Sequence, residues 1–242
     1  MAVLPNSSQV GCTHVTYDGY KLSDTFEIQR LTIPLHPRID AVDMTVPDRP
    51  GTYFSSRNIG TRDITMRLLL NAQSRCPVQI ADAWTGVSSY VTKSEPKKLY
   101  LDDVYVWAML VGTTMIDDQG YRGAIDLTFR CFDPYIYGDD KTVNLAQGSN
   151  TFSVTGDSPT WPVITLTVPS GPATVGNGTD SVVIPDATGT TVIDMEAQRC
   201  TVGGVWRPVD PTQTDFWALK PGSNTVTLSA GSATLAYTER WL

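Results

Sequence analysis

A ten-residue segment near the middle of this 242-residue chain, residues 129–138, constrains the fold more than any other feature of the sequence. It closes a run of alternating apolar and polar residues and then breaks into a corner rich in aromatic residues, with proline and glycine. Proline cannot donate to a β-ladder, so such a corner ends a strand. The sequence therefore predicts two domains, residues 1–137 and 138–242, each long enough to bury its own core. We interpret the corner as a rigid hinge formed by Phe132, Pro134, Tyr135, Tyr137 and Gly138.

The first half of the chain predicts a sheet of antiparallel strands. Asp18-Gly19 lies between short runs of β-forming residues and indicates a hairpin, and Asp102-Asp103 separates a second pair of strands in the same way. Residues 61–70 and 121–129 alternate between apolar and polar side chains, which is typical of half-buried strands. A further turn is predicted at residues 117–120.

One helix is predicted in this half, which makes the first domain α+β. Pro77 suits the first helical position, while Ile80, Ala81 and Trp84 share one face, and Gly86 is a natural end. A helix of about two and a half turns is not stable alone, so it must lie on the sheet.

The second half predicts a β-sandwich, because many short strand candidates alternate with Gly, Pro and Asn turn signals. The strand candidates are residues 151–155, 162–168, 181–184, 190–195, 199–207, 214–219, 225–229 and 233–241. The turn signals lie at 156–157, 170–172, 176–178, 203–204 and 230–232. Residues 148–154 and 222–228 resemble each other, since each is a Gly-Ser-Asn-Thr turn that leads into a strand.

Residues 34–51 predict a projecting arm. Four prolines and a glycine punctuate the segment, and residues 42–46 alternate between apolar and polar side chains inside it. Because proline is confined to strand edges and loop ends, this strand is not expected in the middle of a sheet.

Charge and cysteine content exclude several classes of function. The net charge is −7 with a pI of about 4.7, and residues 1–137 contribute −2 while residues 138–242 contribute −5. Specific nucleic-acid binding needs a basic surface and is not expected. The four cysteines are scattered without a CxxC pair or a nearby histidine, so neither a metal site nor a disulfide framework is predicted. No apolar run approaches the ~20 residues that span a bilayer, and the first residues lack the pattern of a signal peptide.

The sequence offers no catalytic motif, and we predict neither enzymatic activity nor a cofactor. Its two histidines, His14 and His36, stand alone, and no GxSxG elbow, HExxH motif or phosphate-binding loop is present. The paired aspartates at 102–103, 117–118 and 139–140 lie where turns are expected, and adjacent carboxylates on a strand would point to opposite faces.

Two groups of residues leave alternatives open. Arginines interleaved with Tyr53 and Phe54 fit a protein interface, in which guanidinium groups and rings stack, but they also fit a solvated strand face. Trp206 and Trp217, with Trp161, fit either core packing or a platform for sugar rings.

Several segments, in this order along the chain, resemble the distal tail protein family of long-tailed, non-contractile bacteriophages. They are Val46 to Phe54 (VPDRPGTYF), the strand of residues 63–70, Glu95 to Asp102 (EPKKLYLD), Phe132 to Gly138 (FDPYIYG) and Leu219 to Thr225 (LKPGSNT), followed by Ala233 to Leu235 and Tyr237. The match spans nearly the whole chain.

The resemblance implies a structural virion protein of the tail tip, made in the bacterial host cytoplasm. Six copies would form a ring through an N-terminal domain with an arm near residues 34–60, followed by a galectin-like or carbohydrate-module-like β-sandwich. The ring would join the tail tube protein to the tail hub, leave a channel for DNA and carry receptor-binding or accessory baseplate proteins. The candidate ring-interface residues are Arg38, Val46, Arg49, Tyr53, Phe54, Arg57 and Arg62.

Two alternatives remain at the level of the sequence. One is a carbohydrate-binding accessory protein that uses Trp206 and Trp217 of the second domain in host adsorption. The other is a peptidoglycan hydrolase, which the absence of a catalytic motif disfavours.

Overall fold

The computed structural model describes residues 14–70, 85–112, 116–119 and 122–242. The protein is mainly β, and it divides into two compact units, Ala2–Ile136 and Tyr137–Trp241.

The first unit is an antiparallel sheet with short helical segments. Its elements are β1 (Val15–Tyr17), β2 (Tyr20–Lys21), α1 (Leu22–Thr25), β3 (Phe26–Thr32), β4 (Ile39–Thr45), β5 (Thr52–Ile59), β6 (Arg62–Leu70), β7 (Lys97–Leu101), β8 (Val104–Leu110), β9 (Ile116–Gln119) and β10 (Arg122–Cys131). The central strands follow the order β8-β10-β6-β3, with β7 pairing β8 and β1, β2 pairing β1, and β9 pairing β10.

Period-two patterning explains the core of this unit, as the sequence predicted. On β6, Ile64, Met66 and Leu68 are buried while the intervening Thr65 is exposed. The paired strand β10 adds Leu127 and Phe129 to the same cluster, in register with β6. Alternation with a period of two residues places every second side chain on one face, so a single apolar set covers the core side of the sheet.

Both predicted hairpins of the first unit are confirmed. Asp18 and Gly19 have φ of 48° and 82°, and Tyr17 pairs with Tyr20 across them. Positive φ at both central residues is the requirement of a type I′ turn, which Asp-Gly meets at low cost. The second hairpin joins β7 to β8 through Asp102, whose φ is 54°.

The predicted end of the helix is wrong. Residues 85–91 are helical and include Gly86, so the helix does not end there, and Val87 and Val91 lie in the core at the spacing of one helical turn. The predicted N-terminal part of the helix, Pro77 to Trp84, lies outside the described residues.

Two of the three aspartate pairs are not in turns, contrary to the prediction. Residues 117–118 lie on β9 and pair with β10, and residues 139–140 lie on a strand of the second unit. Strand pairing overrides the intrinsic turn preference of aspartate at both places, and Asp139 and Asp140 are exposed on their strand. Asp102-Asp103 forms the predicted turn.

The second unit is built of six strands whose order is β15-β14-β13-β12-β16-β11. Their bounds are β11 (Ile136–Val154), β12 (Val163–Gly176), β13 (Ser181–Asp194), β14 (Arg199–Val202), β15 (Val205–Arg207) and β16 (Gly222–Trp241). Both halves of β12 contribute to one core, since Ile164 and Leu166 lie in the same buried cluster as Ala173 and Val175. The long strands therefore cover two sides of a common apolar interior, as in a sandwich.

Two predicted turns of this unit are irregularities within long strands. The register between β12 and β16 breaks between Thr167 and Val175, and Gly171 and Gly231 have positive φ at this break. Glycine produces the same sequence signal in a bulge as in a turn, so the strand continuity could not be predicted. The predicted strand at 214–219 is wrong, because Leu219 makes only an isolated bridge to Thr160.

The two similar Gly-Ser-Asn-Thr segments form equivalent turns. Asn150 accepts a hydrogen bond from Ala146 N at 3.0 Å and donates to Ala146 O at 2.7 Å. Asn224 accepts from Lys220 N at 3.0 Å and donates to Lys220 O at 2.7 Å. The hydroxyls of Thr151 and Thr225 lie 3.1 Å apart, so the two turns are neighbours. Each asparagine side chain thus hydrogen-bonds to both the main-chain N–H and the main-chain carbonyl of the residue four positions before it, and these bonds stabilise the turn.

Candidate assembly interface

Strands β4 and β5 form a two-stranded sheet of their own, which we call the arm (residues 39–59). Every residue of both strands is exposed, and neither strand pairs with the sheet that carries the core. An isolated two-stranded hairpin is at best marginally stable in water. The arm therefore lacks the burial that normally holds a strand pair in place.

The arm presents apolar side chains to solvent on both of its faces. Phe54 is 68% exposed and lies opposite Asp43, on the face that also carries Ile39 and Ile59. Met44 is 61% exposed and lies on the other face, opposite Tyr53. A hairpin packed on its own domain would bury one of these faces, so exposure of both indicates a surface meant for another chain.

The tip of the arm, residues 46–51, is a turn. Asp48 and Gly51 have φ of 62° and 85°, and Arg49 N donates to Val46 O at 3.4 Å. The guanidinium of Arg49 stacks over the ring of Tyr53 at 4.6 Å from its centroid. Cation–π contacts of this kind contribute about 0.5–1 kcal/mol at exposed sites. The contact places the Arg49 charge over the Tyr53 ring on β5.

Main-chain hydrogen bonds fix the root of the arm. Gly60 N donates to Arg38 O at 2.7 Å, and Arg38 N donates to Thr61 O at 3.0 Å. The Arg38 side chain forms an exposed ion pair with Asp40 at 3.0 Å. Such a pair contributes little to stability in water, so the root is held by its backbone.

The predicted interface residues are distributed along the arm, with one exception. Five of them lie on its strands or at its tip and root and are exposed: Arg38, Arg49, Tyr53, Phe54 and Arg57, and Val46 joins them at 36% exposure. Arg62 is only 1% exposed, because it begins β6 in phase with Ile64 and Met66. Its place in that alternation was the signal that it faces inward.

A cavity of about 400 Å³ opens beside the root of the arm, and we call it the root cavity. Arginine and histidine side chains outnumber the single carboxylate in its lining. The lining residues are Pro34, His36, Arg38, Thr61, Arg62, Asp63 and Arg130.

Asp63 and Arg130 form a bidentate ion pair that lines the root cavity. They are cross-strand partners of β6 and β10, and two hydrogen bonds of 2.8 Å join the guanidinium to the carboxylate. The hydrogen bond from Arg130 lowers the pKa of Asp63 below its usual value. Next to this pair, burial raises the pKa of the Cys131 thiol to about 12, so this cysteine is inert at neutral pH.

The Asp63→Asn variant will show how this pair depends on pH. A carboxyl whose pKa is lowered by folding stabilises the protein above its unfolded pKa of about 4, and the contribution disappears as pH falls through the folded value. We expect the variant to melt below the wild type at pH 7 and together with it in strong acid. Thermal melts from pH 7 to pH 2.5 measure the difference, and Asp126→Asn, which removes the longer Arg67 pair at 3.5 Å, is the control. A difference that persists unchanged at low pH would contradict the assignment.

Sequence reasoning missed part of the exposed apolar surface. Leu35 before the arm is 71% exposed, and Ile39 and Met44 belong to the arm without having been selected. It also missed an aromatic row on β7 and β8, where Lys98 Nζ lies 4.1 Å from the Tyr105 ring centroid. Cross-strand register, which the sequence alone does not give, brings these residues together.

The structure shows a corner at the position of the predicted hinge. The corner comprises residues 132–135, where Tyr135 N donates to Asp133 Oδ1 at 3.2 Å, while Tyr137 and Gly138 already lie on β11. At Gly138 an added Cβ would lie 2.7 Å from the Trp241 ring, which explains the glycine by close packing. The geometry is that of a corner, and hinge motion there stays a prediction.

Of the two readings that the sequence left open for the tryptophans, the structure shows core packing for Trp217. Trp217 is 3% exposed and belongs to the core of the second unit, so it cannot stack on a sugar. Trp206 is 65% exposed on β15, at the free edge of the sheet. Of these two tryptophan rings, only that of Trp206 is accessible to a ligand.

Among the described residues there is no cluster of three or more His, Cys, Asp or Glu side chains placed to hold a metal ion. Nor do they include a helix with the length and apolar character needed to cross a membrane. The two cysteines that the structure describes, Cys131 and Cys200, are buried free thiols, and the other two, Cys12 and Cys76, lie outside the described residues.

Comparison with known proteins identifies the class of the chain. Residues 17–131 match the family model described as a phage tail protein RIFT-related domain, and residues 155–241 match that of the siphovirus-type tail component, C-terminal domain. A search of curated proteins gives no match.

The fold agrees with a solved tail protein. The crystal structure of Dit from phage SPP1, a protein of the hub adsorption apparatus in phages infecting Gram-positive bacteria, superposes with a TM-score of 0.83 at 18% identity, covering 95% of this chain and 99% of that one. The activated phage P2 baseplate also matches, with a TM-score of 0.48 both for its calcium form (11% identity, covering 86% of this chain and 90% of that one) and for its strontium form (10% identity, 90% and 92%). The two family matches together cover most of the sequence in the order expected, and the chain belongs to the siphophage distal tail protein family.

Proposed function

We propose that this phage tail-tip protein assembles into a ring of six copies through its arm, and that the ring leaves a channel through which DNA passes. The observation that carries the proposal is the arm itself, all of whose strand residues are exposed although both faces carry large apolar side chains. Burial of apolar surface contributes about 25 cal/mol per Å², so covering these faces by a neighbouring copy supplies the stability that the isolated hairpin lacks.

A ring follows from the geometry of the contact. The arm of one copy binds a different surface on the next, which makes the contact heterologous, and heterologous contacts close into rings when the rotation permits. The number six comes from the family resemblance. The acidic balance of the chain, −7 overall, favours a channel that repels phosphates and does not retain DNA.

In the virion, the ring is proposed to join the tail tube protein on one side and the tail hub on the other. Receptor-binding or accessory baseplate proteins would bind at its periphery. The protein would be synthesised in the host cytoplasm and incorporated into the tail tip during assembly. These partners follow from the family to which the chain belongs.

Light scattering after size exclusion tests the ring. We expect a mass near six times 26.4 kDa at high protein concentration, with dissociation on dilution. The measurement is repeated at several salt concentrations, because apolar burial resists salt whereas ion pairs are screened. A protein that stays monomeric at every concentration, both alone and with its purified tail-tube partner, would overturn the proposal.

A further inference from the structure

We propose that the root cavity receives the tip of a neighbouring copy's arm, and that Asp48 provides the anionic group that binds there. This inference rests on the ring proposed above and names the residues of its contact. Both partners are surfaces of the same chain, and the tip of one copy meets a different surface on the next, so the contact is heterologous and can repeat around a closed ring.

The root cavity is suited to an anionic turn. His36 and Arg38 line it on the arm side, and the bidentate pair of Asp63 with Arg130 lines it on the sheet side. The only carboxylate of the lining, Asp63, is already bound to Arg130, and Arg38 holds only an exposed, water-screened pair with Asp40, for which an entering carboxylate can compete. A volume of about 400 Å³ falls in the range of roughly 300–1,000 Å³ that holds ligands, and it is far more than a single inorganic ion requires.

The tip of the arm is suited to enter such a cavity. Asp48 is exposed at its apex, and no ion pair to it occurs among the residues that the structure describes. Arg49, the one cation of the tip, is held against Tyr53 at 4.6 Å. Pro47 and Pro50 restrict the backbone of the turn, so little conformational entropy is lost on docking.

The tip cannot reach the root cavity of its own chain. Strand β4 has seven residues in extended conformation, and at about 3.3 Å per residue the tip lies more than ~20 Å from the root. The cavity beside the root is therefore available to the arm of another copy.

Docking at this place would also orient the next arm. Main-chain hydrogen bonds fix Arg38 beside Thr61 at the root of the arm, whereas Asp63 and Arg130 belong to the sheet, so the cavity lies between the arm root and the sheet. An anion held between the two walls would fix the direction in which the arm leaves the domain. Each bound tip would thereby prepare the following contact, which makes ring closure cooperative.

Charge substitutions test the contact in the full-length protein. We expect Asp48→Asn and Arg38→Gln each to raise the ring dissociation concentration about tenfold or more, since a charge-assisted hydrogen bond is lost. The reversal Asp48→Arg combined with Arg38→Asp should recover assembly relative to either reversal alone. The matched controls are Asp24→Asn and Arg30→Gln, exposed residues outside the arm and the cavity, which should assemble like the wild type.

The outcomes separate this inference from the proposed ring. Failure of the wild type to assemble removes the ring itself. Wild-type rings combined with undisturbed Asp48→Asn rings overturn the inference and leave the ring in place. If Arg38→Gln weakens the ring but Asp48→Asn does not, the cavity binds another carboxylate and the assignment of Asp48 is wrong. The same conclusion follows if Asp43→Asn weakens the ring and Asp48→Asn does not. Loss in both variants with recovery in the double reversal supports the proposal.

Discussion

We expect that replacing the arm by a two-residue Asn-Gly turn between Arg38 and Gly60 will abolish formation of the proposed ring and leave the subunit folded. No residue of either arm strand is buried, so the core loses nothing, and the melting temperature should stay within a few degrees of that of the wild type. The closure is geometrically simple because Gly60 N already donates to Arg38 O at 2.7 Å. Light scattering measures the mass, and circular dichroism measures the melting temperature.

A milder variant controls for the length of the arm. Replacing Phe54 and Met44 by serine keeps the hairpin and removes the most exposed apolar side chain of each face. We expect it to weaken assembly without abolishing it, because side chains of this size contribute about 1.5–3 kcal/mol each when fully buried. Intact rings in the armless variant would show that another surface holds the copies together. Unfolding of that variant would show instead that the arm belongs to the fold.

Substitution of Gly231 by alanine will destabilise the second unit more than substitution of any exposed turn glycine. Gly231 has a φ of 78°, and an added Cβ would lie 2.2 Å from Thr167 O and 2.7 Å from a methyl group of Val168. The oxygen belongs to the backbone of the neighbouring strand and cannot move aside without disturbing the pairing of β12 with β16. We expect a loss of about 3 kcal/mol or more in the free energy of unfolding, measured by urea denaturation.

The Gly189→Ala variant separates backbone strain from collision. Gly189 has a φ of 64°, but no heavy atom lies within 4 Å of the position that its Cβ would take. Its cost should be only the left-handed strain of about 1–2 kcal/mol. Equal losses in the two variants would mean that the strands separate easily at the break, and that the close approach at Gly231 is not a constraint.

Local chemistry in the sequence determined much of the first unit. Asp18-Gly19 specifies a type I′ turn, and the alternation along β6 and β10 places Ile64 and Phe129 on the core face. These signals are local, since each depends only on neighbours along the chain. The resemblance to the distal tail family also rested on local features, namely several short motifs that occur in a fixed order along the chain.

Long-range pairing decided what the sequence left open in the second unit. A glycine in a bulge and a glycine in a turn give the same signal, so the continuity of β12 and β16 depends on which strand lies beside them. Trp206 and Trp217 are the same residue type, but one lies on an edge strand and the other in the core. Burial is a property of the assembled sheet and cannot be assigned to a residue in isolation.

The candidate interface was also only partly predictable from the sequence. The prolines of residues 34–51 predicted that this segment projects, because proline is excluded from central strands by its missing donor. Only the tertiary structure exposes both faces of the arm and brings Arg38, Asp63 and Arg130 around one cavity. Local sequence fixes where a strand can bend or end, whereas the neighbours of a side chain depend on contacts between residues far apart in the chain.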